Sequence, residues 1–182
     1  PEARRALYES LHEPVPYVLG EELGQVRFID YSADGRHIAA GGADGTIRVW
    51  RTDAPAAEPS RLQTDARVMG LQFSPDGRRL MWHDTAGRVH LWDALAGTRR
   101  NAKPVPDASA AMAVTWLPGS RRLVLATWRM EPSVARIVVW DADSQAQVGE
   151  AIVLESPPNS LAYAQKLAVS PGGSRLAMTR GG

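Results

Sequence analysis

The sequence predicts an all-β protein assembled from repeated four-stranded antiparallel units. Three observations carry that reading. Asp-Gly turns recur at Asp34-Gly35 and Asp76-Gly77, 42 residues apart. Tryptophans close strand-like runs at Trp50 and Trp92, again 42 apart, and at Trp140, 48 further on. Between these markers apolar and polar residues alternate with a period of two, the pattern of a pleated strand with one buried face. A period of about 40 residues filled with short hairpin-linked strands marks the blades of a propeller.

The first unit opens on an alternating run in which Val26 and Phe28 are set against Arg27 and Asp30. It turns at Ser32-Ala33-Asp34-Gly35, where Asp and Gly suit the left-handed backbone of a tight turn. A second strand covers residues 37–41, and Ala43-Asp44-Gly45 makes the next turn. Residues 46–50 form a third strand ending on Trp50, and a looser fourth lies near residues 60–63. The second unit repeats this order. Phe73-Ser74-Pro75-Asp76-Gly77 is its first turn, Thr85-Ala86-Gly87 its second, and Arg88-Val89-His90-Leu91-Trp92 its third strand. The third begins at Trp116-Leu117-Pro118-Gly119-Ser120, carries an enlarged turn over residues 128–133, and ends its third strand at Trp140-Asp141. Its fourth strand is expected within residues 147–154. A fourth unit starts at Leu167-Ala168-Val169-Ser170-Pro171-Gly172-Gly173. The expected units are therefore 24–64, 66–105, 111–154 and an incomplete 162–182, which is about three complete blades and part of a fourth. Closed propellers use about 4–8 blades, so a fragment of a larger ring is expected, with self-association through its open blade edges.

Residues 1–16 stand apart from this pattern. Ala3, Leu7 and Leu11 recur at helical spacing, and Pro14 and Pro16 close the run, which predicts a helical lead-in or linker.

These residues resemble WD40 repeats. The resemblance rests on Phe73-Ser74-Pro75-Asp76-Gly77-Arg78, on Gly41-Gly42-Ala43-Asp44-Gly45-Thr46-Ile47-Arg48-Val49-Trp50, and on the pairs Trp92-Asp93 and Trp140-Asp141. It extends over roughly residues 18–182. It implies that Trp50, Trp92, Trp140, Asp34, Asp76 and Asp44 are structural repeat residues. The family's buried network joins a His before the first strand to a hydroxyl, the turn Asp and the Trp. Here Gly20 is followed by Glu21, Ala40 stands at the hydroxyl position and Ala86 replaces the second turn Asp. The network is therefore expected to be incomplete in every unit, as in degenerate bacterial arrays. The lead-in through Pro16 also resembles the segment that precedes the propeller in large bacterial signalling NTPases of the STAND type.

Composition narrows the function. Of 182 residues, 44% are hydrophobic and 23% charged, the profile of a globular domain. The formal net charge is +1, which gives no bulk electrostatic case for nucleic acid. The pairs Arg78-Arg79, Arg99-Arg100 and Arg121-Arg122 mostly follow repeat turns. Cysteine is absent, so thiolate metal sites, disulfides and cysteine nucleophiles are excluded. No apolar run approaches the roughly 20 residues of a membrane helix, and the first ten residues lack a signal-peptide core. No membrane partner and a cytoplasmic location are expected. Lys103 and Lys166 are the only lysines, a usage consistent with a GC-rich coding bias.

Chemical motifs are sparse. No phosphate loop and no Gly-x-Ser-x-Gly element occur, and no cofactor is called for. His83, Asp84 and His90 sit close in sequence, but alternation sends His83 and Asp84 to opposite faces. Surface histidines are expected there, not a metal site. Trp116 fills the aromatic position held by Tyr31 and Phe73, so it is core. Trp82 and Trp128 lie off the repeat, and Trp128 beside Arg129 has the composition of an interface hot spot.

The resemblance implies that the second-to-third and fourth-to-first strand connections share one rim, the partner-binding one. On it lie Arg67, Asp84, Trp128, Arg129 and Glu131, the candidate partner-binding residues. The expected function is a non-enzymatic protein–protein interaction scaffold or sensor within a larger bacterial signalling protein. The alternative is a hydrolase-like propeller with a site on the inner strands, where Arg27, Asp30, Gln72 and Lys166 interrupt the apolar pattern.

Overall fold

The computed structural model describes residues 25–54, 57–94, 96–104, 110–119, 121–129, 134–155 and 164–180. The expected helical lead-in lies outside the described residues, as does most of the long third-unit loop.

Every described element is a strand. The first sheet runs in sequence order through β1 (Val26–Tyr31), β2 (His37–Gly42), β3 (Thr46–Arg51) and β4 (Ser60–Gln63). The second repeats that order with β5 (Val68–Phe73), β6 (Arg79–Asp84), β7 (Arg88–Asp93) and β8 (Thr98–Pro104). The third holds β9 (Ala110–Trp116), β10 (Arg122–Arg129) and β11 (Val134–Asp141). Its outer strand is split into β12 (Ala146–Gln147) and β13 (Ile152–Glu155), both paired with β11. The hairpin β14 (Ala164–Val169) and β15 (Leu176–Arg180) forms the last sheet. All pairings are antiparallel, and among the described residues the four sheets do not close into a ring.

The first turn of a unit is built by side chains the repeat supplies. Ser32 Oγ donates to Asp34 Oδ1 at 2.6 Å and accepts from His37 N at 2.9 Å. Ser74 does the same with Asp76 and Arg79 at 2.6 and 3.0 Å. Ser170 keeps the backbone half, accepting from Arg175 N at 3.0 Å, although Gly172 stands where the Asp would be. Asp34 is held below the usual carboxylate range by the Ser32 hydroxyl and the Arg36 amide. Burial opposes ionisation of Asp76, but the matching bonds from Ser74 and Arg78 prevail and lower it too.

The sheets stack face to face. One side of the first (Ala39, Ile47, Val49) meets Val68, Phe73, Leu80, Trp82 and Trp92 of the second. The other side of the second (Met81, Val89, Leu91) meets Trp116, Leu123, Leu125 and Trp140. Ala113, Val124, Ala126 and Ile137 then meet Leu167, Val169 and Met178. Trp50, Trp92 and Trp140 are all buried, and the latter two face the preceding sheet. Polar staples cross the first two contacts. Phe73 N donates to Asp30 Oδ2 at 2.7 Å. Trp116 N donates to Gln72 Oε1, 42 positions after Asp30, at 3.4 Å. These two inner-strand polar residues are thus engaged in joining sheets.

Candidate interaction rim

The rim carrying the β2–β3, β4–β5 and β6–β7 connections is tied together by short polar bonds. Asp44, in the β2–β3 turn, accepts from Thr46 N at 3.0 Å. Gln63 Nε2 at the end of β4 donates to the carbonyls of Asp44 and Thr64 at 3.1 and 3.2 Å. Thr64 N donates to Gly45 O at 3.0 Å. Gly45 has φ +80°, and a Cβ there would collide with Thr64 O, so both backbone freedom and the lack of a side chain are used. Across the sheet boundary, Thr85 N donates to Arg67 O at 3.0 Å.

Beneath these loops lies a buried polar cluster. Asp84, 1% exposed, receives His90 Nε2–H at 2.7 Å and Thr64 Oγ1–H at 3.1 Å. The amides of Ala86 and Arg88 donate to its other oxygen at 2.9 and 3.2 Å, and Arg88 Nε adds a bond at 3.1 Å. Burial alone would raise the Asp84 pKa, but His90 and the Arg88 amide outweigh it, so the carboxyl is held below its ordinary value. His90 is itself 1% exposed, and its ring stacks on that of Trp82 with centroids 5.0 Å apart and planes 3° from parallel.

Two sequence expectations are corrected here. His83 and His90 are not surface residues, since both are at least 97% buried. Alternation does send His83 and Asp84 to opposite faces, but both faces of this inner sheet are covered by neighbours. Asp84 is likewise withdrawn from the rim surface, and its side chain serves the interior. The family's network stays incomplete in the second sheet, where Ala86 replaces the turn Asp. A different polar cluster stands there, with Asp84 two residues before Ala86, His90 on β7, and Thr64 from the preceding crossover. Trp82, off the repeat, is fully buried in the first inter-sheet core.

The remaining candidates separate. Arg67 is exposed at the rim, beside the β6–β7 turn. Trp128 and Arg129 are not in a turn but are the last residues of β10, paired with Ala135 and Val134. They lie at the end of β10 equivalent to Asp84 in β6. Glu131 lies outside the described residues. Between the inner strands is a cavity of about 220 Å³ whose lining includes Phe28, Met69, His83 and Lys166 and, among the described residues, no carboxylate. No group of three metal-ligating side chains occurs among the described residues.

Comparison with known proteins agrees with this architecture. Residues 16–51 match the WD40 family model, described as WD domain, G-beta repeat. The APC/C activator protein CDC20 of Saccharomyces cerevisiae is 28% identical over 82 residues, 43% of this chain and 13% of the relative. A WD repeat-containing protein WDS homolog of Arabidopsis thaliana is 26% identical over 130 residues, 69% of this chain and 24% of the relative. The target of rapamycin complex subunit LST8 of Bos taurus is 27% identical over 89 residues, 48% of this chain and 27% of the relative. The chain thus spans about a quarter or less of the length of these relatives.

Proposed function

We propose that this chain, whose sheets are blades of a WD40 β-propeller, is a non-catalytic scaffold that binds a protein partner on the rim carrying Arg67, Trp128 and Arg129. The observation that carries the reading is the bonding of that rim. Gln63, Thr64, Asp44 and Asp84 fix its loops from below, which leaves a preorganised surface above them. The inner strands support an enzyme less well, because Asp30 and Gln72 are engaged in joining sheets. Two of the relatives are named for a multiprotein assembly, one as a complex subunit and one as an activator, and the same kind of role is proposed here. Its setting is a larger cytoplasmic signalling protein of bacterial type. That part rests on the arginine-rich, lysine-poor composition and on the lead-in that resembles STAND-type NTPases.

The test uses the full chain with a photo-crosslinking residue at position 67 or 129, or at position 36 on the opposite rim. The expected result is one protein captured from both rim positions and not from position 36. Trp128→Ala and Arg129→Glu should then each weaken its binding at least about tenfold, the size of a hot-spot loss. Equal capture from both rims, or unchanged affinity in both variants, refutes the assignment.

A further inference from the structure

We infer that His90 is a proton-operated latch, its imidazolium form locking the β4–β5 crossover onto the β6–β7 turn. The inference is independent of any partner and concerns only the molecule's own conformations.

The geometry sets one titratable ring against a buried carboxylate. His90 shares a face of the second sheet with Trp82 and Trp92, the face turned to the first sheet. The first sheet turns Ala39, Ile47, Val49 and Leu62 toward Trp82 and Trp92 on this face. On its own sheet the charged groups of this cluster are Asp84 on β6 and Arg88 on β7, and the Arg88 guanidinium meets the His90 ring at the Asp84 carboxylate. His83 points to the other face. Arg100 and Lys103 of β8 stand opposite Leu91 and Val89 in the register, not opposite His90. From the crossover come Thr64, bonded to Asp84, and Asp65, which is exposed and 4.0 Å from Arg88. The carboxylate bonded to the ring is Asp84, at 2.7 Å.

Asp84 accepts from both sides of the sheet boundary, and this makes the pair a latch. Its oxygens hold Thr64 of the crossover together with Ala86 and Arg88 of the next turn. A proton on His90 turns its hydrogen bond to the ionised Asp84 into a buried ion pair, with both donor and acceptor charged. The indole of Trp82 stacked beneath the ring also favours a cation over its face. Losing that proton leaves Arg88 as the cationic partner of Asp84 among the described residues and weakens its hold on the crossover. Between about pH 8 and 5.5 Asp84 stays ionised, so the change belongs to the imidazole.

The experiment is urea unfolding of the full chain at about pH 8 and 5.5, for the parent protein and for His90→Gln. Acidification should raise the folding constant more in the parent than in the variant, the linkage expected when a group binds its proton more tightly in the folded state. The Ala86 and Arg88 amides should also be more protected from exchange at the lower pH, after correction for intrinsic rates. An equal or opposite pH response in the two proteins overturns the inference. If His90→Gln does not fold, NMR titration of the His90 ring in the parent decides. A midpoint above about 6.5, the free imidazole value, supports the latch, and a midpoint at or below it overturns the latch.

Discussion

Gly70 and His83 divide one small space between them. A Cβ on Gly70 would collide with the His83 imidazole, so Gly70→Ala should destabilise the protein by about 1–3 kcal/mol, as overpacking does. Chemical unfolding would show it, and His83→Ala in the same chain should restore part of the loss. A restoration of zero would mean that the glycine is needed for its backbone instead. Asp84 invites a second substitution. Asp84→Asn removes the carboxylate that Arg88 and His90 share, and leaving buried hydrogen-bonding groups without their partner costs about 1–3 kcal/mol. The pH dependence has a definite sign. Because folding lowers the Asp84 pKa below 3.8, its contribution is complete above that value and is lost as pH falls through the folded one. The variant's stability should therefore fall less steeply than the parent's between about pH 5 and 2, read from denaturation midpoints.

The strands and their turns show where sequence reasoning succeeds and where it stops. The tryptophan strands and the Ser-x-Asp-Gly turns were legible because each chemical need repeats. A serine hydroxyl, a carboxylate and a positive-φ glycine recur at fixed offsets, and Gly35, Gly77 and Gly173 adopt φ of 68–70°. The His90–Asp84 cluster was not legible, because its residues occupy positions where the repeat elsewhere has Arg48 and Gly42. Its acceptor is also bonded from Thr64, across a sheet boundary that alternation within one strand cannot register. The split of the third outer strand into β12 and β13 was hidden for a similar reason. It follows a left-handed Gln145, φ 50°, a conformation that no recurring residue announces. The staples make their own prediction. Burial raises the Asp30 pKa, although the Phe73 and Tyr31 amides pull it down. Its ionisation therefore opposes folding above its folded pKa, and acidification through that value relieves the penalty. Asp30→Asn keeps an acceptor for Phe73 N and should be near neutral at pH 7. Asp30→Ala loses the bond and should cost about 1 kcal/mol. Equal unfolding midpoints for the two variants would remove Asp30 from any joining role.

At the level of the molecule, three stacked interfaces leave the outer side of the first sheet partly uncovered. Ile29 and Tyr31 are 64% and 59% exposed, whereas Phe73 and Trp116, at the position of Tyr31 in the next two sheets, are 4% exposed. Apolar surface of this kind drives association, so the isolated chain should sediment as a concentration-dependent mixture. Ile29→Lys with Tyr31→Lys should shift it toward monomer, and an unchanged profile would direct attention to the edge at β13, where Ile152 and Val153 are also exposed. The staples carry a mechanical implication as well. A carboxylate at 2.7 Å joins the first two sheets and a carboxamide at 3.4 Å the next two. The following equivalent, Thr115, turns its hydroxyl back to Gln72, so the β14–β15 hairpin is held to its neighbour mainly by side-chain packing. Under tension applied at its two ends, the chain should yield from the C-terminal side first. The hairpin would peel away at low force, and the pair of sheets joined through Asp30 would rupture last.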